Sequence, residues 1–267
     1  YGGFAHNDQT VAILTRIEHR YPGFEGLNLS FETLEGLVKH NGPALTLGQS
    51  PDDLPFTVKG LVGQIDFKLT RHASLEAQIV DISDDTAYCN HDVEDGLRGG
   101  FFTLDDLAPL ALYRDVIPRL RSGPCGCDYE LLIAAMIREQ IGVMVADILK
   151  TSRGNIADLN PQTVDDIRGA GRQLVRFSDD LFPKIKELRE FLFARFYGSA
   201  PLRQMAGRAD TVISGLFHAF MNDASLLPCA WVARMGPASP RMIADYIAGM
   251  TDGYAEDEFA RVSGGGL

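Results

Sequence analysis

The chain has 267 residues, 45% of them hydrophobic, enough to bury a sizeable core as one large helical domain or as a main domain with a smaller helical extension. Its 36 acidic and 25 basic residues leave a net charge of -11, which argues against duplex-DNA binding, because neutralising phosphates takes clustered Lys and Arg. No run of about 18 apolar residues and no signal-peptide pattern occurs, so no membrane association is expected and the expected location is cytoplasmic.

The opening, "YGGFAHNDQT", has no initiator Met and runs at once into an amphipathic segment, as though the chain were entered partway through a domain. After Asn7, the spacing of Val11, Leu14, Ile17 and Tyr21 predicts a helix that "YPGFEG" ends. Ser30 reads as the N-cap of a second helix, with Phe31, Leu34, Leu37 and Val38 on one face and Gly42-Pro43 as its stop. A loop containing "GQSPDDLP" follows. Ser74 reads as the cap of a long helix anchored by Leu75, Ile79, Ile82, Cys89, Val93 and Leu97 and ended by Gly99-Gly100. Short helical turns are expected beyond Thr103. Asp128 then opens an almost uniformly apolar helix, expected to lie in the core and to stop at Gly154.

The stretch from Gly154 to Asp180 reads as a polar, turn-rich excursion, and Pro183 fits the first turn of the helix after it. Two further helices are expected in "PLRQMAGRADTVISGLFHAFMND" and "SPRMIADYIAGMTDGYA". Strand signals are nearly absent, so the predicted class is all-α. Cys89, Cys125, Cys127 and Cys229 give neither a disulfide framework nor a two-pair zinc spacing and read as reduced thiols.

The long helix poses an electrostatic problem. Asp84, Tyr88 and Asp92 recur at intervals of four and share one face, with Asp81 and Asp85 beside them, yet no Lys or Arg occurs between Arg71 and Arg98. A solvated helix face would intersperse cations. A metal ion or a hydroxyl-rich ligand is the expected neutralising partner.

The Asp, Tyr, Asp spacing resembles that of HD-domain nucleotide hydrolases. The phrases "LTRIEHRYPGFEGLNLS", "TLEGLVKHNGP", "SLEAQIVDISDDTAYCNHD" and "IADYIAGMTDGYA" resemble the deoxyguanosinetriphosphate triphosphohydrolase family, in particular its bacterial dGTPase-like branch, over nearly the whole chain. The resemblance implies an HD-domain helical fold with a helical C-terminal extension. Residues 1–150 would be the C-terminal part of the catalytic domain and 151–267 the extension. It implies hydrolysis of a deoxynucleoside triphosphate to deoxynucleoside and triphosphate, without strict dGTP selectivity. Asp84 takes the position of the last metal ligand, for a divalent ion whose identity (Mn, Mg, Fe, Ni, Co or Zn) the ligand types leave open. The family's other metal ligands and its catalytic His and Glu fall before Tyr1, so no catalytic residue is expected within the chain. His91-Asp92 is not that missing metal pair, because adjacent helical residues point about 100° apart.

Tyr88 and Asp92 would bracket the deoxyribose, the ring excluding a 2'-hydroxyl and the carboxylate accepting from the 3'-hydroxyl. Lys39 would face the triphosphate, although a cation also suits a helix C-terminus. His6 would stabilise charge on the phosphate side, with a surface or capping role as the plain alternative. A homo-oligomer, such as the hexamers common in the family, is implied. The competing expectations are a catalytically silent helical nucleotide-binding or oligomerisation module and a different HD phosphohydrolase.

Overall fold

The computed structural model describes residues 5–124 and 128–264, and Cys125 and Cys127 lie outside the described residues. The all-α expectation holds: the described residues form helices joined by turns, and an isolated bridge between His19 and Gly26 is as close as they come to a strand pair. The chain divides into two compact units, one ending at Ser199 and one beginning at Ala200.

In the first unit, α1 (His6–Ala12) runs into a π-helical turn (Ile13–Ile17) and buries Val11 and Ala12. Its buried Asp8 accepts from the backbone N–H of Thr57 (2.8 Å) and of Val58 (2.9 Å) at the start of α3 (Phe56–Val62). A carboxylate suits that place because the first amides of a helix lack intrahelical acceptors. Ser30 caps α2 (Phe31–Val38) as expected, but the helix ends at Val38, well before Gly42.

Ser74 also caps its predicted helix, α4 (Leu75–Arg98), which stops before Gly99 and Gly100, the latter at φ 70°. Gln78, Thr86, Cys89, Asn90, Val93, Gly96 and Leu97 are its buried residues, a three-to-four spacing that defines one inward stripe. Ile79 is no anchor: it is 51% exposed and lines an open apolar groove of about 490 Å³ with Ile82 and Ile148. Thr103 forms a capping box with Asp106 on α5 (Leu104–Leu107), and α6 (Val116–Arg121) follows.

Asp128 caps α7 (Tyr129–Leu159), which packs along α4 and contributes Ile133, Met136 and Met144 to the core. Gly154 does not stop α7. A glycine inside a helix costs only about 1 kcal/mol, and the turn beyond it is held by buried Asn155, whose amide donates to Leu174 O at 2.9 Å. The stop is Asn160, in the left-handed region at φ 46°. α7 thus passes through residue 150 unbroken, and part of the expected excursion is helix. α8 (Val164–Arg168) and α9 (Phe182–Leu192) complete the unit; Pro183 lies in the first turn of α9, which continues as a second π-helical turn, Phe193–Tyr197.

The second unit contains α10 (Ala200–Asn222), α11 (Cys229–Met235), α12 (Pro240–Ala248) and α13 (Asp252–Val262). Val212, Leu216 and Phe220 of α10 pack against Met242, Ile243 and Ile247 of α12. The single helix expected over "SPRMIADYIAGMTDGYA" is therefore two. The break falls at Gly249, and Thr251 recaps the chain by accepting from Tyr254 N.

The tightest approach at the α4 end is testable. A Cβ on Gly96 would lie 2.2 Å from the Phe102 ring, whereas one on Gly142, exposed in α7, would meet nothing within 4 Å. Gly96→Ala should lower unfolding free energy by about 2 kcal/mol through overpacking, while Gly142→Ala should raise it by up to about 1 kcal/mol through helix propensity. Urea titration of the two variants checks both signs.

Candidate functional site

The inward stripe of α4 turns Asp81, Asp84, Asp85, Tyr88 and Asp92 toward the rest of its circumference. Protein groups from distant segments then meet most of the acids. Gln173 Nε2 donates to Asp81 Oδ2 at 2.9 Å, Arg189 of α9 lies 2.9 Å from Asp85, and the Tyr197 hydroxyl donates to Asp92 Oδ2. Of these three partners only Arg189 is a cation, so the stripe's charge is offset from within the chain at Asp85, while Asp81 and Asp92 receive neutral hydrogen-bond donors. Asp84 has a weaker partner: His40 Nε2 is 3.8 Å from Asp84 Oδ2, and the Asp84 side chain is 51% exposed.

Tyr88 is 62% exposed and presents its ring beside this face. His40 also lines a cleft of about 470 Å³ between α2 and α4, together with Glu32, Thr33, Glu76 and Val80. His6 is exposed at the start of α1, and its neighbour Asn7 donates to Asn41 Oδ1 at 2.9 Å, so the head of α1 adjoins the segment that carries His40.

Lys39 is placed differently from the expectation. Its side chain is fully buried, with Nζ 2.7 Å from Glu35 Oε1, in place of a triphosphate-facing ammonium. The same Glu35 accepts from Arg168 Nε at 3.0 Å and from Arg168 Nη2 at 2.5 Å, and Arg168 also pairs with Asp165 at 3.1 Å. Burial pulls the Lys39 pKa down, against the hydrogen bond and charge of Glu35 that hold it up. The network fastens the C-terminal end of α2, and therefore the adjoining His40, to α8. No short-range pattern announces it, because Arg168 is far along the chain from Glu35.

A divalent ion needs several donors of suitable type. Asp84 and His40 offer a carboxylate and an imidazole, and among the described residues no group of three or more His, Cys, Asp or Glu is arranged to hold a metal. The described residues do not by themselves fit a resident ion.

The surroundings of Asp81 oppose its ionisation. Burial pushes its carboxyl above the usual range, the bond from Gln173 opposes this, and Asp85 and Asp84 add to it while His40 counters. Because the folded-state pKa is raised, the ionised form disfavours folding above that pKa and has no such effect below the unfolded value. Asp81→Asn retains an acceptor for Gln173 and should raise the thermal midpoint at neutral pH. The gain should vanish on acidification through the carboxylate range, which thermal scans at several pH values would reveal.

Comparison with known proteins relates the chain to a family. Residues 175–261 match the family described as a phosphohydrolase-associated domain, covering α9 to most of α13. A deoxyguanosinetriphosphate triphosphohydrolase-like protein of Parvibaculum lavamentivorans is 40% identical over 266 residues, covering 98% of this chain and 67% of that protein. The corresponding proteins of a Jannaschia species and of Brucella ovis are 38% identical over 271 residues and 40% identical over 270, each again covered over 67% of its length. With such identity along almost its whole length, the chain belongs to the deoxyguanosinetriphosphate triphosphohydrolase-like family.

Proposed function

We propose that the protein hydrolyses deoxynucleoside triphosphates to deoxynucleoside and inorganic triphosphate. The observation that supports this reading best is the Asp84, Tyr88, Asp92 row on one face of α4, with an exposed aromatic ring between two carboxylates, in a chain whose relatives bear the name of that activity. Water attacks the α-phosphorus, the bond from phosphorus to the 5'-oxygen breaks, and the nucleoside leaves as its 5'-hydroxyl. The residues of this chain hold the substrate. The Tyr88 ring packs on the deoxyribose where a 2'-hydroxyl would intrude, and Asp92 accepts from the 3'-hydroxyl.

Asp84 is proposed as one carboxylate donor toward a divalent ion, part of a ligand set that the described residues do not complete. His6 is proposed on the phosphate side. Lys39 would reach a triphosphate only by leaving Glu35, which makes its primary role the support of α2. A homo-oligomer is proposed, with the exposed Met205, Ile213 and Met221 of α10 as contact material. A cytoplasmic location is likewise a proposal; among the described residues no helix is long and apolar enough to cross a membrane.

The deciding assay is triphosphate release from dGTP, dATP and their ribonucleotide counterparts by the full natural gene product, supplied in turn with manganese, magnesium and zinc. Asp84→Ala should abolish release and lower bound metal with helical content intact, and Tyr88→Ala should narrow the preference for dNTP over NTP by about tenfold. Release of monophosphate or orthophosphate in place of triphosphate would point to a different phosphohydrolase. Full turnover and full metal content in Asp84→Ala would remove Asp84 from the site.

A further inference from the structure

We infer that Tyr197 is a positioning residue for Asp92: its hydroxyl occupies Oδ2 of that carboxylate and thereby directs the other oxygen to the sugar. This rests on the reading of Asp92 as the acceptor for the 3'-hydroxyl and adds the group that aims it.

The contact joins segments 105 residues apart, with the phenol as donor and Asp92 Oδ2 as acceptor. Among the described residues, no side-chain hydrogen bond reaches Oδ1 of Asp92, so the carboxylate keeps acceptor capacity beyond the bond it makes. Tyr197 owes its place to the π-helical turn at the end of α9, where Gly198 N donates to Phe193 O at 2.9 Å. Continued α-helical geometry, at about 100° per residue, would leave the side chain five positions beyond Leu192 about 140° away from the stripe that Leu192 buries. Closure at the fifth residue reduces that angle and brings Tyr197 round toward α4.

The turn is held on both sides. Phe196 meets Phe101 edge-on at 5.0 Å, Phe191 meets Phe102 edge-on at 5.0 Å, and Arg195 reaches Asp106 at 3.4 Å. A hydroxyl presented from so fixed a turn limits the rotation of the carboxylate it binds. Burial, and then Asp92 itself, push the phenol's ionisation upward, which keeps it a donor across the working pH range. Phe193, which opens the turn, is 74% exposed.

Tyr197→Phe keeps the ring and deletes the donor. In the full natural gene product it should raise KM for dGTP about tenfold while changing kcat less, and equilibrium binding of 2',3'-dideoxy-GTP should stay within about twofold of wild type. In Asp92→Asn the same substitution should add little, because the two side chains act as a unit. Equal losses for both nucleotides, no loss for either, or a full additional loss in the double variant would overturn the proposal; circular dichroism and thermal midpoint separate these from misfolding. A readout independent of activity is the 13Cζ resonance of Tyr197, assigned by its loss in Tyr197→Phe, which should shift on Asp92→Asn. An unmoved resonance would overturn the contact itself. A shifted resonance in a wild-type protein that neither binds nor cleaves dGTP would leave the contact standing and overturn the substrate role, together with the functional reading beneath it.

Discussion

The seam between α4 and α7 is the constraint on which the site depends. Cys89, Asn90, Val93 and Leu97 are buried along it, in one core with Ile133, Met136 and Met144 of α7. Burying an apolar side chain of this size contributes about 1.5–3 kcal/mol, so several together set the rotation of α4 about its own axis. Turning the helix by one residue would carry Val93 and Leu97 toward water and drive carboxylates into the core. Asn90 fixes the setting further by donating to Thr86 O at 2.8 Å and contacting Met144 Sδ at 3.1 Å. The outward row of acids follows from what the opposite face must bury.

That row is tolerable because other elements carry partners to it. α9 brings Arg189 and, through its π-helical end, Tyr197; the segment after α8 brings Gln173; the residue after Lys39 brings His40. Arg189 and Asp85 are both well exposed, so their pair contributes little to stability, on the order of 0–1 kcal/mol. Its consequence is positional, since it fastens α9 alongside the acidic face. Burial pushes the Cys89 thiol above its ordinary range, so that cysteine is a packing residue and a poor nucleophile.

The Glu35 network works by a different balance. One buried carboxylate faces two cations, and the desolvation of all three groups is offset only because Glu35 receives several short hydrogen bonds at once. Loss of Glu35 would strip the buried Lys39 of its carboxylate, whereas loss of Lys39 would leave Glu35 still paired with Arg168. The ion pairs and the hydrogen bond from His72 N to Arg168 O, 3.1 Å, join α2, the loop before α4 and α8 around the cleft that His40 lines.

Much of this was legible in the sequence, and the limit is physical. Caps act within a few residues of themselves, so Ser30, Ser74 and Asp128 marked three helix starts correctly, and the absence of strand patterning marked the class. The spacing of Asp84, Tyr88 and Asp92 likewise put them on one face, because helical periodicity is local. Gly154 misled because a glycine's propensity cost is small beside the packing of Asn155 and its bond to Leu174. Ile79 misled because periodicity gives a face and not what covers it. The partners of the acids, the enclosure of Lys39 by Glu35, and the approach of Tyr197 to Asp92 were decided by tertiary structure alone. Each depends on segments distant along the chain being held within a few ångströms, and that proximity is set by how helices pack, which no short-range pattern encodes.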